Sequence, residues 1–208
     1  MSAGTMIALG CNSIIMGRQS QLGPTDPQLV VGARLYSAHS IVQQFEEAKA
    51  EIIKEPILTN AWGHVLRSYG PALLQEARKS IQYGRSIVEE WLEKYMFANE
   101  DNRQTLAQEV AKYFSSDDHG SHGRRINRSD ARNHHLKIVD LEEDGALQDE
   151  VLTLYHLLTI AFDSSPTAKA VVSSNGQKWL KNLPTTVSPA LQVAQIMNPK
   201  NAAKRGRC

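Results

Sequence analysis

Met1-Ser-Ala-Gly-Thr-Met-Ile-Ala-Leu-Gly-Cys-Asn-Ser-Ile-Ile-Met16, continuing through Leu22-Gly-Pro-Thr-Asp-Pro-Gln28, is the stretch on which the reading of this chain turns. The small residues Ser2, Ala3 and Gly4 make a turn that opens a short apolar helix, expected over residues 5–11. A β-rich piece follows at residues 13–16, and then a Gly/Pro loop at residues 23–27. A serine at the mouth of a helix is placed well for a nucleophile. The helix start offers free N–H groups and a positive dipole end, which stabilise an alkoxide and the oxyanion it creates. Serine is also a preferred N-cap, so capping alone is the commoner role of such a residue.

Working outward, the 208 residues suit one large domain with a tail. The hydrophobic share of 41% is enough for a sizeable core. The net charge of +1 gives no global attraction to nucleic acid or an anionic surface. Two cysteines, Cys11 and Cys208, do not make a disulfide framework. Cys11 is expected as a small core residue. No apolar run is long enough to span a bilayer, and no charged n-region precedes a long apolar h-region, so neither a membrane span nor a signal peptide is read in this chain.

Apolar positions Ile41, Val42, Phe45, Ala48, Ile52 and Ile53 recur at helical spacing and predict a helix over 39–54, ended by Pro56. A looser helix is expected over 60–69. Gly70-Pro71 breaks the chain, and the longest helix follows, over 71–97, with a broad apolar stripe and Gly84 as either a weak point or a close packing contact. A short helix over 105–113 leads into a polar, glycine-rich loop at 115–123. Asn127 or Ser129 caps a short helix, residues 136–139 read as a strand, and residues 146–162 read as an amphipathic helix. Beyond 164 the periodicity dissolves into an irregular, proline-punctuated tail with a basic end at Lys200, Lys204, Arg205 and Arg207.

The runs Ser2–Leu9, Ser13–Met16 and Leu22–Gln28 resemble the serine dehydrogenase proteinase family, a prokaryotic family related to signal peptide peptidase A within the Clp protease/crotonase superfamily. Supporting similarities lie at Ile87–Leu92, at His122-Gly-Arg-Arg-Ile126 with Ala131, at Leu136–Val139 and at Leu147–Asp149 with Tyr155 and His156. The resemblance implies an α/β, Clp/crotonase-like fold, mostly helical in the part present. It would occupy residues 1–163, with 164–208 as the irregular tail. Family members carry a βαβ-containing segment before this serine, so the chain is expected to be a fragment or to have a misplaced start. It further implies a serine peptidase that hydrolyses peptide bonds through an acyl-enzyme, with Ser2 as nucleophile and the Ala3 and Gly4 amides as oxyanion donors. The partners implied are a peptide or protein substrate and further copies of the chain in a homo-oligomer. Localisation is expected to be cytoplasmic or membrane-associated in a prokaryote. No cofactor and no metal are implied.

A serine hydroxyl needs a base to remove its proton. Relatives of signal peptide peptidase A use a lysine, which serves only where burial lowers its pKa towards neutrality. Lys49, Lys54 and Lys79 are the candidates, and distance back from the His122 block favours Lys79. A Clp-type histidine is absent from its expected neighbourhood, which here reads Asp26-Pro-Gln28. Asp26 is a candidate for orienting a base or binding substrate, or simply for an Asx turn. His122 and Arg124 are candidate substrate contacts, the arginine suited to a carboxylate or carbonyl. Asp117, Asp118, His119, His122, His134 and His135 crowd one stretch, but no HExxH or paired CxxC spacing frames a metal site. Arg124, Arg125, Arg128 and Arg132 are offset at once by Asp140, Glu142, Glu143 and Asp144, which argues against nucleic acid. The competing expectation is a catalytically inactive homologue acting as an assembly or scaffold subunit.

Overall fold

The computed structural model describes residues 3–116 and 125–183. The chain divides into two compact units, residues 1–145 and residues 146–208. The class is mixed α/β, with seven α-helices and three two-stranded sheets among the described residues.

In the first unit, helix α1 (Ala3–Leu9) runs into strand β1 (Ile14–Met16). The helix starts and ends two residues earlier than its apolar pattern suggested, and Gly10, just past its end, lies against Trp91. A Cβ at Gly10 would stand 3.3 Å from the indole ring, so a larger residue there would need Trp91 to shift. Cys11, expected in the core, is exposed, its thiol bonded to the Ile7 carbonyl at 3.3 Å. Strand β1 pairs in parallel with β4 (Ile138–Asp140), in the register Ile14 to Ile138, Ile15 to Val139 and Met16 to Asp140. Ile14 and Met16 point into the core while Ile15 and Val139 share the exposed face.

Strands β2 (Gln28–Val31) and β3 (Arg34–Ser37) form a hairpin across residues 30–34, where the sequence pattern predicts a short extended or turning stretch. Its turn is Gly32-Ala33, with Gly32 at φ 63°, the left-handed first position of a type II′ turn. Leu29 and Tyr36, directly opposed, face inward, while Val30 and Leu35 face out. Ser37 then caps α2 (Ala38–Lys54), its hydroxyl accepting from the His39 amide at 3.1 Å. A 3₁₀ turn at Pro56–Leu58 and α3 (Thr59–Arg67) follow. The long helix is α4 (Leu73–Lys94), and α5 (Arg103–Phe114), α6 (Arg128–Asn133), β4 and a 3₁₀ turn at Leu141–Glu143 complete the unit. Asn127 caps α6 as expected, accepting from the Asp130 amide at 2.9 Å. The polar loop expected at 115–123 lies largely outside the described residues.

Helix α4 serves two cores. Ala77 packs with Ala38, Ile41 and Leu73 under the β2–β3 hairpin. Further along, Val88 and Leu92 join Leu9, Ile14, Met16, Val110, Phe114 and Ile126. Gly84, between them, is buried.

The second unit contains α7 (Gly145–Asp163) and a hairpin of β5 (Thr167–Val172) and β6 (Lys178–Asn182). This hairpin corrects the expectation of an irregular stretch from residue 164. Its alternation was hidden because both faces carry lysines among the apolar residues, so no polar face opposes an apolar one. Helix α7 has the predicted span but no buried residue.

Two stability outcomes follow from this packing. Phe114, fully buried, costs about 3–5 kcal/mol when cut to alanine, whereas exposed Ile57→Ala stays within about 0.5 kcal/mol, as surface changes do; urea titration compares them. Ala72 caps α4 at φ 67°, a left-handed conformation that an L side chain resists. Ala72→Gly therefore stabilises by about 0.5–1 kcal/mol, read as a higher urea midpoint, because relief of the left-handed strain exceeds the added chain entropy.

Candidate functional site

Ser2, His122 and Arg124 lie outside the described residues, as do Asp117, Asp118 and His119. What the fold does define is the support around the helix that begins one residue after Ser2. Ala3 and Gly4 are exposed, and a Cβ at Gly4 would meet nothing within 4 Å. The first amides of α1 have no acceptors within their own helix. One position on, Thr5 is buried, and its hydroxyl accepts a hydrogen bond from the Gly23 amide at 2.9 Å. That bond brings the Gly23–Pro27 loop against the helix.

The loop is not the solvent-exposed turn its Pro/Gly content suggests. Leu22 and Ile126 exchange two backbone hydrogen bonds, both 2.9 Å, and the Thr25 amide donates to the Phe114 carbonyl at 2.8 Å. Pro24, Thr25, Asp26 and Pro27 are buried, Thr25 at 2% and Asp26 at 8% exposure. The Thr25 hydroxyl finds no hydrogen-bond partner among the described residues. A buried hydroxyl and a buried carboxyl in one loop beside α1 form an unusual polar concentration in this core. Sequence inspection singled out Asp26 and missed Thr5 and Thr25, because a threonine's burial leaves no mark in local composition.

The candidate bases stand elsewhere. Lys49 and Lys54 are exposed on α2. Lys79 is exposed on the part of α4 that carries Ala77 in the second core. It lies about 18 Å along the helix axis from Trp91, the α4 residue against Gly10, at 1.5 Å per residue. None of the three has the burial in this chain that a lysine base requires.

The basic residues of α6 are engaged within the first unit. Arg128 donates to the Met16 carbonyl at 3.2 Å and pairs with Asp140 at 3.1 Å and Glu142 at 2.6 Å. Arg132 also pairs with Asp140. Glu142 further accepts the Arg18 amide at 2.8 Å, and this bond, then its own backbone amide and the Arg128 guanidinium, hold its carboxyl down at about 2. His134 stacks on Tyr113 of α5, and His135 reaches Glu109 at 3.8 Å. Among the described residues no group of three or more His, Cys, Asp or Glu is disposed to hold a metal ion. Nor is any described helix long and apolar enough to cross a membrane.

A lowered carboxylate pKa ties stability to pH with a definite sign. The unfolded Glu142 titrates near 4.5 and the folded one near 2, so its stabilising effect is complete above 4.5 and fades as pH falls towards 2. Urea midpoints measured between pH 6 and pH 3 should therefore fall less steeply in Glu142→Gln than in the parent chain. Equal slopes would show that the carboxylate is not held as the geometry indicates. Comparison with protein-family profiles, with characterised proteins and with solved structures finds no match to this chain.

Proposed function

We propose that this chain is a serine peptidase homologue of the signal peptide peptidase A-like type, with a Clp/crotonase-like arrangement around α1, β1 and β4. In this reading the Ser2 hydroxyl attacks a peptide carbonyl as a base takes its proton. The Ala3 and Gly4 amides stabilise the resulting oxyanion. Collapse of the tetrahedral intermediate releases the amine, which takes the proton back from the base, and water then hydrolyses the acyl-serine. Lys79 is the base the family resemblance implies, with Lys49 and Lys54 as alternatives; each is exposed in this chain and would act only once a bound substrate or a partner copy buries it. Asp26, His122 and Arg124 are substrate contacts. No cofactor or metal enters the scheme.

The observation that carries the reading is the support of α1. Its body is held by Thr5, Leu9 and Gly10, while Ala3 and Gly4 stay open at its mouth. A peptide can approach such a start, and the held helix would keep its amides aimed as the oxyanion forms.

A second reading, an inactive homologue serving as an assembly or scaffold subunit, is favoured by the exposure of all three lysines. It also accounts for Ile15 and Val139, adjacent apolar residues on the open face of the β1–β4 pair. Exposed apolar neighbours of this kind mark contact surfaces.

Labelling by a fluorophosphonate probe and turnover of a fluorogenic casein separate the two. Under the peptidase reading Ser2→Ala abolishes labelling, and turnover falls at least 10³-fold. Lys79→Ala lowers turnover about 10²–10⁴-fold, the range of a lost general base. A folded chain that neither labels nor cleaves overturns the peptidase reading.

A further inference from the structure

The charges of this chain are unevenly distributed. From Ser164 to the end there are seven lysines and arginines and no aspartate or glutamate, although the whole chain is nearly neutral. Three of those cations, Lys169, Lys178 and Lys181, stand exposed on the β5–β6 hairpin. The register sorts them. Lys169 opposes Lys181 on one rung, and Val171 opposes Trp179 on the rung nearer the turn, both pairs on the same face. That face therefore carries two cations and a tryptophan–valine pair, all solvent-exposed, with Trp179 at 56%. Two like charges directly opposed weaken a free hairpin. A negative surface would relieve that repulsion.

We propose that this face of the β5–β6 hairpin docks on an anionic phospholipid surface. Lysines at a bilayer surface gain attraction from acidic headgroups, and their aliphatic stems lie along apolar neighbours. Tryptophan settles at the same depth, its ring among the upper acyl carbons and its N–H towards water. Val171 completes the apolar contact on this face. The aliphatic share separates lipid from single-stranded nucleic acid. A nucleic-acid platform stacks successive bases on aromatic rings, and this face has a single ring, Trp179, beside Val171. Helix α7, in the same unit, presents Leu154, Tyr155, Leu157 and Ile160 to solvent without being long and apolar enough to cross a bilayer. Docking on a surface, rather than spanning, is the mode such exposure permits.

This contact does not depend on the peptidase reading, so Ser2→Ala leaves it intact. The test uses the full chain and sedimentation with vesicles of phosphatidylcholine alone or of phosphatidylcholine with phosphatidylserine. The chain is expected to sediment with the phosphatidylserine vesicles, to be released by added salt, and to stay in solution with phosphatidylcholine alone. Lys169→Gln with Lys181→Gln lowers the partition coefficient roughly thirtyfold, about fivefold for each charge removed. Brominated lipid quenches tryptophan emission in the parent chain and does so far less in Trp179→Phe. Circular dichroism of both variants confirms that they are folded. Equal binding to both vesicle types, an unchanged partition coefficient in the double variant, or retention of single-stranded RNA without any vesicle binding would overturn the proposal.

Discussion

One guanidinium closes the centre of the first unit. Arg128 reaches back 112 residues to the carbonyl of Met16 at the end of β1, and it pairs with Asp140 and Glu142 at the end of β4. A parallel pair cannot be joined by a tight turn, so its two strands must be brought together by everything between them. Here that is α2 to α6 and the β2–β3 hairpin, and the pair itself is only three residues long. So short a ladder specifies little by backbone bonding alone. The charge-assisted bonds of Arg128, extended by the Arg18 amide on Glu142, bind the strand ends that the core beneath aligns.

Beneath that cluster, α4 distributes the packing. Its first half faces α2 and the β2–β3 hairpin, and its second half faces α1, β1 and α5. The apolar stripe is continuous in sequence but serves two separate clusters, which is why it is broader than one neighbouring helix needs. The second unit is built differently. Its helix buries nothing, and both faces of its hairpin are exposed, so its apolar residues are available for contact rather than for a core of their own.

The candidate site shows the same division between local pattern and spatial outcome. The short helix after Ser2 and the strand after it were legible, because a small-residue turn followed by apolar residues and then by a β-branched pair has one economical reading. The burial of the Gly23–Pro27 loop was not. Its composition belongs to surface turns, yet the Leu22–Ile126 exchange, the Thr25 amide and the Thr5–Gly23 bond draw it inside. Lys79 illustrates the converse. Its distance along the chain matched a base, but its position on the helix surface depends on which face of α4 the two cores claim.

Sequence by itself determined the helices from α2 to α7 to within a few residues, the breaks at Pro56 and Gly70-Pro71 and the mixed α/β class. These follow from periodicity and from backbone chemistry, both of which act over a few neighbouring residues. Tertiary structure decided the pairing of Ile14–Met16 with Ile138–Asp140, the exposure of Cys11, the burial of Thr25 and Asp26, and the partners of Arg128. Each of those depends on residues far apart in the chain meeting in one place, and no local window contains that information.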